Sequence, residues 1–236
     1  MKAFGFKHVL SHVLLTALAF NLAGCDVSAR LDDSLAQSQH VKDPYEAHRM
    51  LNAAYDDYYV HGCMWLGCTP KEHDHALRLD KASDQLLVKA VKAGDVRAIN
   101  ELFDKPSSTL AKEQAAPWVI GMAEKLDAPA HVLVIAGNLV MEGDYSPPDF
   151  RQAFGYFARA WQQGDPDATD RELALFTRMG DAANSYLWSL RCAEKCQWVD
   201  PDLQAQLKPE QKLDIERSAR NNMLIVGPIH FRTIET

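Results

Sequence analysis

AHVLVIAGNLVMEGDYSPPDFRQAFGYFARAWQQG, residues 130–164, is the stretch whose reading decides the fold. In its second half Ala153, Phe157, Ala160 and Trp161 recur at helical spacing, as Ala82, Leu86, Leu87, Ala90 and Val91 do earlier in the chain. The junction that closes it, Ala160-x3-Gly164-Asp165-x2-Ala168, repeats Ala90-x3-Gly94-Asp95-x2-Ala98. Between the two, Leu126-Asp127-x2-Ala130 holds the same place with leucine where glycine should be. The three aspartates are 32 and 38 residues apart, which brackets the ~34–40 residues of a two-helix repeat. The physical reason is local. Glycine adopts the left-handed conformation that ends a helix, and the small alanine beyond it lets the next helix pack close. Strand-like alternation is nearly absent before the last dozen residues. The expected class is therefore all-α.

The stretch resembles the Sel-one-like repeat family, relatives of tetratricopeptide repeats. Gly137, Gly143, Asp149, Ala153, Tyr156, Ala160 and Gly164 stand where that pattern wants glycine, glycine, aspartate, alanine, an aromatic residue, alanine and glycine. Ala136 and Val140 depart from its usual Leu and Tyr, and Tyr145-Ser146 replaces Gly-Val in the turn. Lys81–Gly94 matches the second helix of another unit with one extra residue. The resemblance implies a right-handed α-solenoid of stacked helix hairpins, with its best repeats over about 76–168. The ends look unlike the repeats, as solenoid caps do. Asp43-Pro44-Tyr45-Glu46 predicts the first helix, with Asp43 as cap and Pro44 in the first turn. Asp165-Pro166 and Asp200-Pro201 repeat that start signal. The repeat domain is expected over 43–236. Its C-terminal cap, 169–236, comprises a helix pair, a last helix near Pro209–Asn222, and an apolar tail, Met223–Pro228, folded over the final hairpin or offered as a strand to a partner.

At the other end, Lys2 and Lys7 precede an apolar run from Val9 to Leu22, with no acid before Asp26. This is the layout of a secretory signal, and the run is shorter than the ~20 residues needed to span a bilayer. Leu22-Ala23-Gly24-Cys25 resembles the lipobox of bacterial lipoproteins. The resemblance implies cleavage of residues 1–24 and acylation of Cys25, palmitate being one such chain. The protein would then sit on a membrane by its lipid, facing the periplasm. Asp26 resembles the inner-membrane retention signal of enterobacterial lipoproteins; other bacteria read that position differently, which leaves the outer membrane open. The polar residues 25–42 are expected to be a flexible tether.

The full chain has 236 residues and a net charge of −7. Loss of residues 1–24 removes two lysines and no acids. So acidic a protein is a poor ligand for nucleic acid or anionic lipid headgroups. Its expected partner is a protein, and its membrane contact is the lipid anchor alone. With Cys25 acylated, Cys63, Cys68, Cys192 and Cys196 remain. Outside the cytoplasm two disulfides are expected, with three connectivities open and the local pairs simplest. A bridge at i, i+4 requires the helix to end or deform near Cys196. His61, Cys63, Cys68, His73 and His75 form the one cluster with metal-ligand chemistry. Their spacing fits no standard zinc finger, so no metal and no cofactor are expected. Glycine-flanked serine elbows, His-Glu-x-x-His and phosphate-cradling loops are missing, and the chain is read as a non-enzyme. Asp56-Asp57 among tyrosines reads as the wet side of a helix rather than paired catalytic acids. Tyr55, Tyr58, Tyr59 and Trp65 are the candidate contact patch, because aromatic anchors concentrate binding energy.

Lipoproteins with such repeats are similar to immunity proteins that neutralise type VI secretion toxins, notably periplasm-acting phospholipases. That resemblance implies occlusion of the toxin's active site by the acidic solenoid. The alternative is an envelope scaffold or regulatory lipoprotein that assembles cell-wall or secretion machinery.

Overall fold

A computed structural model describes residues 27–60, 69–105, 107–192, 196 and 200–221. Among them are eleven α-helices and no strand. The chain divides into two compact units, Met1–Ala90 and Val91–Thr236, and each is described by itself. The lipobox, Cys25, Asp26 and the apolar tail lie outside the described residues. No described helix is long and apolar enough to cross a membrane.

The first unit contains α1 (Val27–Ser38), α2 (Pro44–Tyr58) and most of α3 (Pro70–Lys92). Asp43 caps α2, its carboxylate accepting from the amides of Tyr45 at 2.9 Å and Glu46 at 3.4 Å, and Pro44 opens the first turn. The polar stretch expected to be a tether is instead helical over Val27–Ser38 and packs on α2. Two leucines explain the difference. Leu31 is buried with Leu51, Tyr58, Ala76 and Leu79, and Leu35, one turn on, packs against the same cluster. Asp32 adds a polar clasp, its carboxylate 3.0 Å from His75 Nδ1 and 3.8 Å from Arg78 on α3. Behind it, α2 and α3 share a closed hydrogen-bond ring. Asn52 Nδ2 donates to His48 Nε2 (3.0 Å), His48 Nδ1 reaches the Ser83 carbonyl (3.0 Å), and Ser83 Oγ donates to Asn52 Oδ1 (2.6 Å). Each buried polar group is thereby satisfied by its neighbour.

The second unit runs through α4 (Val96–Asp104), α5 (Thr109–Ala123), α6 (Ala130–Glu142), α7 (Phe150–Gln162), α8 (Ala168–Arg178), α9 (Ala182–Cys192), α10 (Pro201–Ala205) and α11 (Pro209–Ala219). From α4 to α10 each helix packs on the next, and α11 packs on α9. In addition α4 touches α6, and α6 touches α8. The central member is α6, nine of whose thirteen residues are buried. Its Gly137 lies against Phe157 of α7, where an added methyl group would overlap the ring.

The repeated glycines end helices as the junction motif requires. Gly94 and Gly164 have φ of +85° and +82°, a region costly for residues with a Cβ. After Gly94, Asp95 caps α4 by accepting from Arg97 N at 2.9 Å. After Gly164, Asp165 accepts from Asp167 N at 2.9 Å and the helix starts later, at Ala168. Gly180-Asp181 is a further junction of this kind, Asp181 accepting from Asn184 N at 3.0 Å.

Leu126-Asp127 does not behave as the same junction. Here α5 ends with Glu124 in the right-handed region, Leu126 is 96% exposed, and α6 starts behind Pro129 without a side-chain cap. Side chains from α7 hold the segment instead. Arg159 donates to the carbonyls of Ala123 and Lys125, and Gln163 donates to Ala128 O at 3.2 Å. Orphan carbonyls at a helix end, usually satisfied by a left-handed cap, are satisfied across the fold.

Leu31→Ala is expected to lower unfolding stability by about 2–5 kcal/mol, read by denaturant titration; a tether residue would leave it unchanged. Gly137→Ala is expected to cost about 1–3 kcal/mol by overpacking. Combined with Phe157→Leu it should cost less than the sum of the two single changes, because the residues touch.

Candidate functional site

At the edge of the second unit, α4, α5, α6 and the turn after α6 enclose a cleft of about 170 Å³. The periodicity of α6 builds one wall, since Ile135, Asn138, Leu139 and Glu142 fall at i, i+3, i+4 and i+7 on one face. Phe103 and Asp104 come from the last turn of α4, Lys112 from α5, and Asp144 and Tyr145 from the turn.

Charge around this cleft is unevenly paired. Asp104 meets His131 Nε2 at 2.8 Å, and Glu142 meets Arg178 at 2.8 Å. Lys112 donates to the Lys105 carbonyl at 3.4 Å. Asp144 is exposed and has no ion pair among the described residues. Burial, then the nearby Asp144 and Glu113 carboxylates, push the Tyr145 hydroxyl above its ordinary range, so it stays a donor at neutral pH. Asn138 Oδ1 is closed to solvent and accepts no hydrogen bond among the described residues. Chemically, the cleft offers acceptors and negative charge beside aromatic and aliphatic walls. Among its described lining residues there is no paired nucleophile and base.

A second unusual cluster lies between α8 and α9. Glu172 is fully buried, and neither carboxylate oxygen has a hydrogen-bond partner among the described residues. Burial pushes its carboxyl well above the ordinary range, and Arg191 offsets only part of this. The Arg191 guanidinium lies 4.7 Å from the Trp188 ring centroid and donates to the Asn221 carbonyl at 2.7 Å. Trp188 and Trp161 stack edge to face at 5.5 Å. Next to Arg191, Cys192 is joined to Cys196 by a disulfide with a Cα separation of 5.5 Å. Helix α9 ends at Cys192, so Cys196 lies beyond it. Asp170 lies near both sulfurs, and the three donor atoms fall within 4.8 Å of one another. Bridged sulfurs are not thiolates, however, so the trio is not a ligand set in this oxidised form.

Of the residues singled out from sequence, the described ones divide between core and surface. Tyr58 is 5% exposed, in the core of the first unit, and Tyr55 packs against the same core. Only Tyr59 of the three presents its ring to solvent, at 55% exposure. Burial is the reason: positions 55 and 58 are one turn apart on the inward face of α2. Trp65, His61, Cys63 and Cys68 lie outside the described residues. Of the other two histidines in the metal alternative, His73 is exposed and His75 buried. Two positions apart on α3, they do not face each other. Asp56 and Asp57 are both exposed. Sequence reasoning missed the cleft, whose members come from 103 to 145, and it missed Trp118, which is 52% exposed beneath the Lys92 ammonium at 5.9 Å.

The sign of the Glu172 effect follows from its raised carboxyl pKa. The folded state holds the proton more tightly than the unfolded chain, so stability falls as pH rises above the ordinary glutamate range toward the folded-state value. Glu172→Gln is expected to raise Tm relative to the parent chain at pH 8 and to change it less at pH 5. Thermal unfolding at the two pH values reads the difference.

No protein-family model, no curated protein and no solved structure matches this chain.

Proposed function

We propose that this chain is a lipid-anchored, periplasm-facing protein-binding module that acts as an immunity protein, occluding a type VI secreted phospholipase or related toxin. We read α4–α5, α6–α7 and α8–α9 as successive stacked hairpins of a right-handed solenoid. The observation that carries this reading is the contact of alternate helices, α4 with α6 and α6 with α8, alongside the contacts of neighbours. Each hairpin then packs on the next and leaves one continuous face for a partner. The α6–α7 hairpin coincides with residues 130–164, the best match to the Sel-one-like pattern. Net negative charge favours a protein partner with a basic surface. The Leu22–Cys25 lipobox supports an anchor that holds the inhibitor at the membrane surface, where a lipase works.

The anchor is tested by metabolic labelling with an alkyne fatty acid. Labelling and membrane fractionation are expected for the parent chain and loss of both for Cys25→Ala; a soluble, unlabelled parent chain defeats the anchor. The binding role is tested by sending the toxin encoded beside this gene to the periplasm. Co-expression is expected to restore growth, and Cys25→Ala to weaken protection. Unchanged killing by every adjacent secreted toxin defeats the immunity reading.

A further inference from the structure

Three helix ends of the first unit meet at one place. His48 and Asn52, in the first half of α2, meet Ser83 on α3, whereas Tyr58, the last residue of α2, shares a core cluster with Ala76 near the start of α3. The two helices therefore run antiparallel. Helix α1 packs on α2 across a turn of five residues, 39–43, and its Leu31 joins the same cluster. Asp32 reaches His75 and Arg78, again near the start of α3. The first turns of α1 and α3 and the last turn of α2 thus share one end. The turn after α1 lies at the other, about 22 Å away along the fifteen residues of α2.

The shared end carries exposed apolar surface beside a short covalent leash. Directly beyond α2, Tyr59 is 55% exposed and Val60 48%. Asp56, Asp57, Lys71 and His73 are exposed at the same end, so both signs of charge accompany the pair. Helix α1 begins at Val27, two residues after Cys25, and two residues reach about 7 Å at most. A free tether over 25–42 would reach about 60 Å. Leu31, Leu35 and the Asp32 clasp hold α1 down instead, so an acyl chain on Cys25 keeps this end against the bilayer. A soluble partner would have to displace a surface held there at high effective concentration. Tyrosine, with an apolar ring and a polar tip, suits the headgroup level of a membrane. Mixed charge, rather than a basic cluster, suits zwitterionic headgroups.

We propose that this end of the first unit is a membrane-contact face, seated on zwitterionic lipid with Tyr59 and Val60 at the interface, an inference that rests on the acylation of Cys25 proposed above. Helix α1 is then a strut that sets the height of the unit above the bilayer, and the contact extends beyond the acyl chain itself.

The test uses the full acylated chain in phosphatidylcholine vesicles, with the photoreactive residue p-benzoylphenylalanine in place of Tyr59. A second chain carries it in place of the exposed Lys42, in the turn after α1. After irradiation, mass spectrometry is expected to find lipid adducts at position 59 at least about fivefold above those at 42, given the length of α2 between them. Inserting about ten glycine and serine residues between Asp26 and Val27 lengthens the leash by roughly 18 Å without altering a helix. The adduct yield at 59 should then fall about three- to tenfold, with the unfolding midpoint unchanged. Fatty-acid labelling of the same samples separates the two readings. A labelled chain with equal adducts at 59 and 42, with none at 59, or with a yield indifferent to the insertion overturns the contact face and leaves the anchor standing. So does a protein adduct at 59 in place of lipid when cells carrying the chain are irradiated. An unlabelled chain defeats the anchor and the face with it.

Discussion

The approach of the Phe157 ring to the backbone of Gly137 sets the spacing of α6 and α7, and the rest of the second unit is arranged around that pair. Close helix approach needs a position without a side chain, and only glycine provides one. With α7 drawn in, Arg159 and Gln163 reach the carbonyls between α5 and α6. Those bonds hold a junction that lacks the glycine found elsewhere. The same α6 turns Ile135, Asn138, Leu139 and Glu142 toward the cleft. Core packing, junction geometry and the candidate site therefore share one cause.

The second unit also tolerates polar groups that its packing does not satisfy. Glu172 is buried without a hydrogen bond among the described residues, and Trp188 Nε1 is in the same condition. A buried carboxyl avoids the cost of desolvating a charge by keeping its proton, which is the direction in which burial drives Glu172. Arg191 remains charged beside it, stabilised by the Trp188 face and the Asn221 carbonyl. Cys196, bridged to Cys192 at the end of α9, packs against the core cluster that holds Trp188. Asn138 Oδ1 on α6 is a further acceptor closed to solvent and without a hydrogen bond among the described residues.

Much of the helical framework was legible because its signals are local. Asp43-Pro44 and Asp200-Pro201 start helices, and Gly94-Asp95 joins two, through interactions among residues two or three positions apart. Asp165-Pro166 shows the limit of such signals: the aspartate makes its turn, yet the helix waits until Ala168. Composition averages over position, which is why 25–42 reads as a tether although 27–38 is a packed helix. Two leucines one turn apart suffice to bury a helix face, whatever the polarity of the other residues.

By itself the sequence determined the all-helical class and the glycine-ended joints near 94 and 164, since backbone conformation and capping depend on immediate neighbours. The tertiary structure alone decided which aromatic residues are available. Tyr58 went to the core and Trp118 to the surface, although neither residue type prescribes either fate. It alone gathered Phe103, Asn138 and Asp144 around one space, because distance along the chain says nothing about which side chains meet once helices pack. The division at Ala90 and Val91 likewise falls inside one continuous helix, α3. Periodicity within a helix cannot reveal which core each of its turns will join.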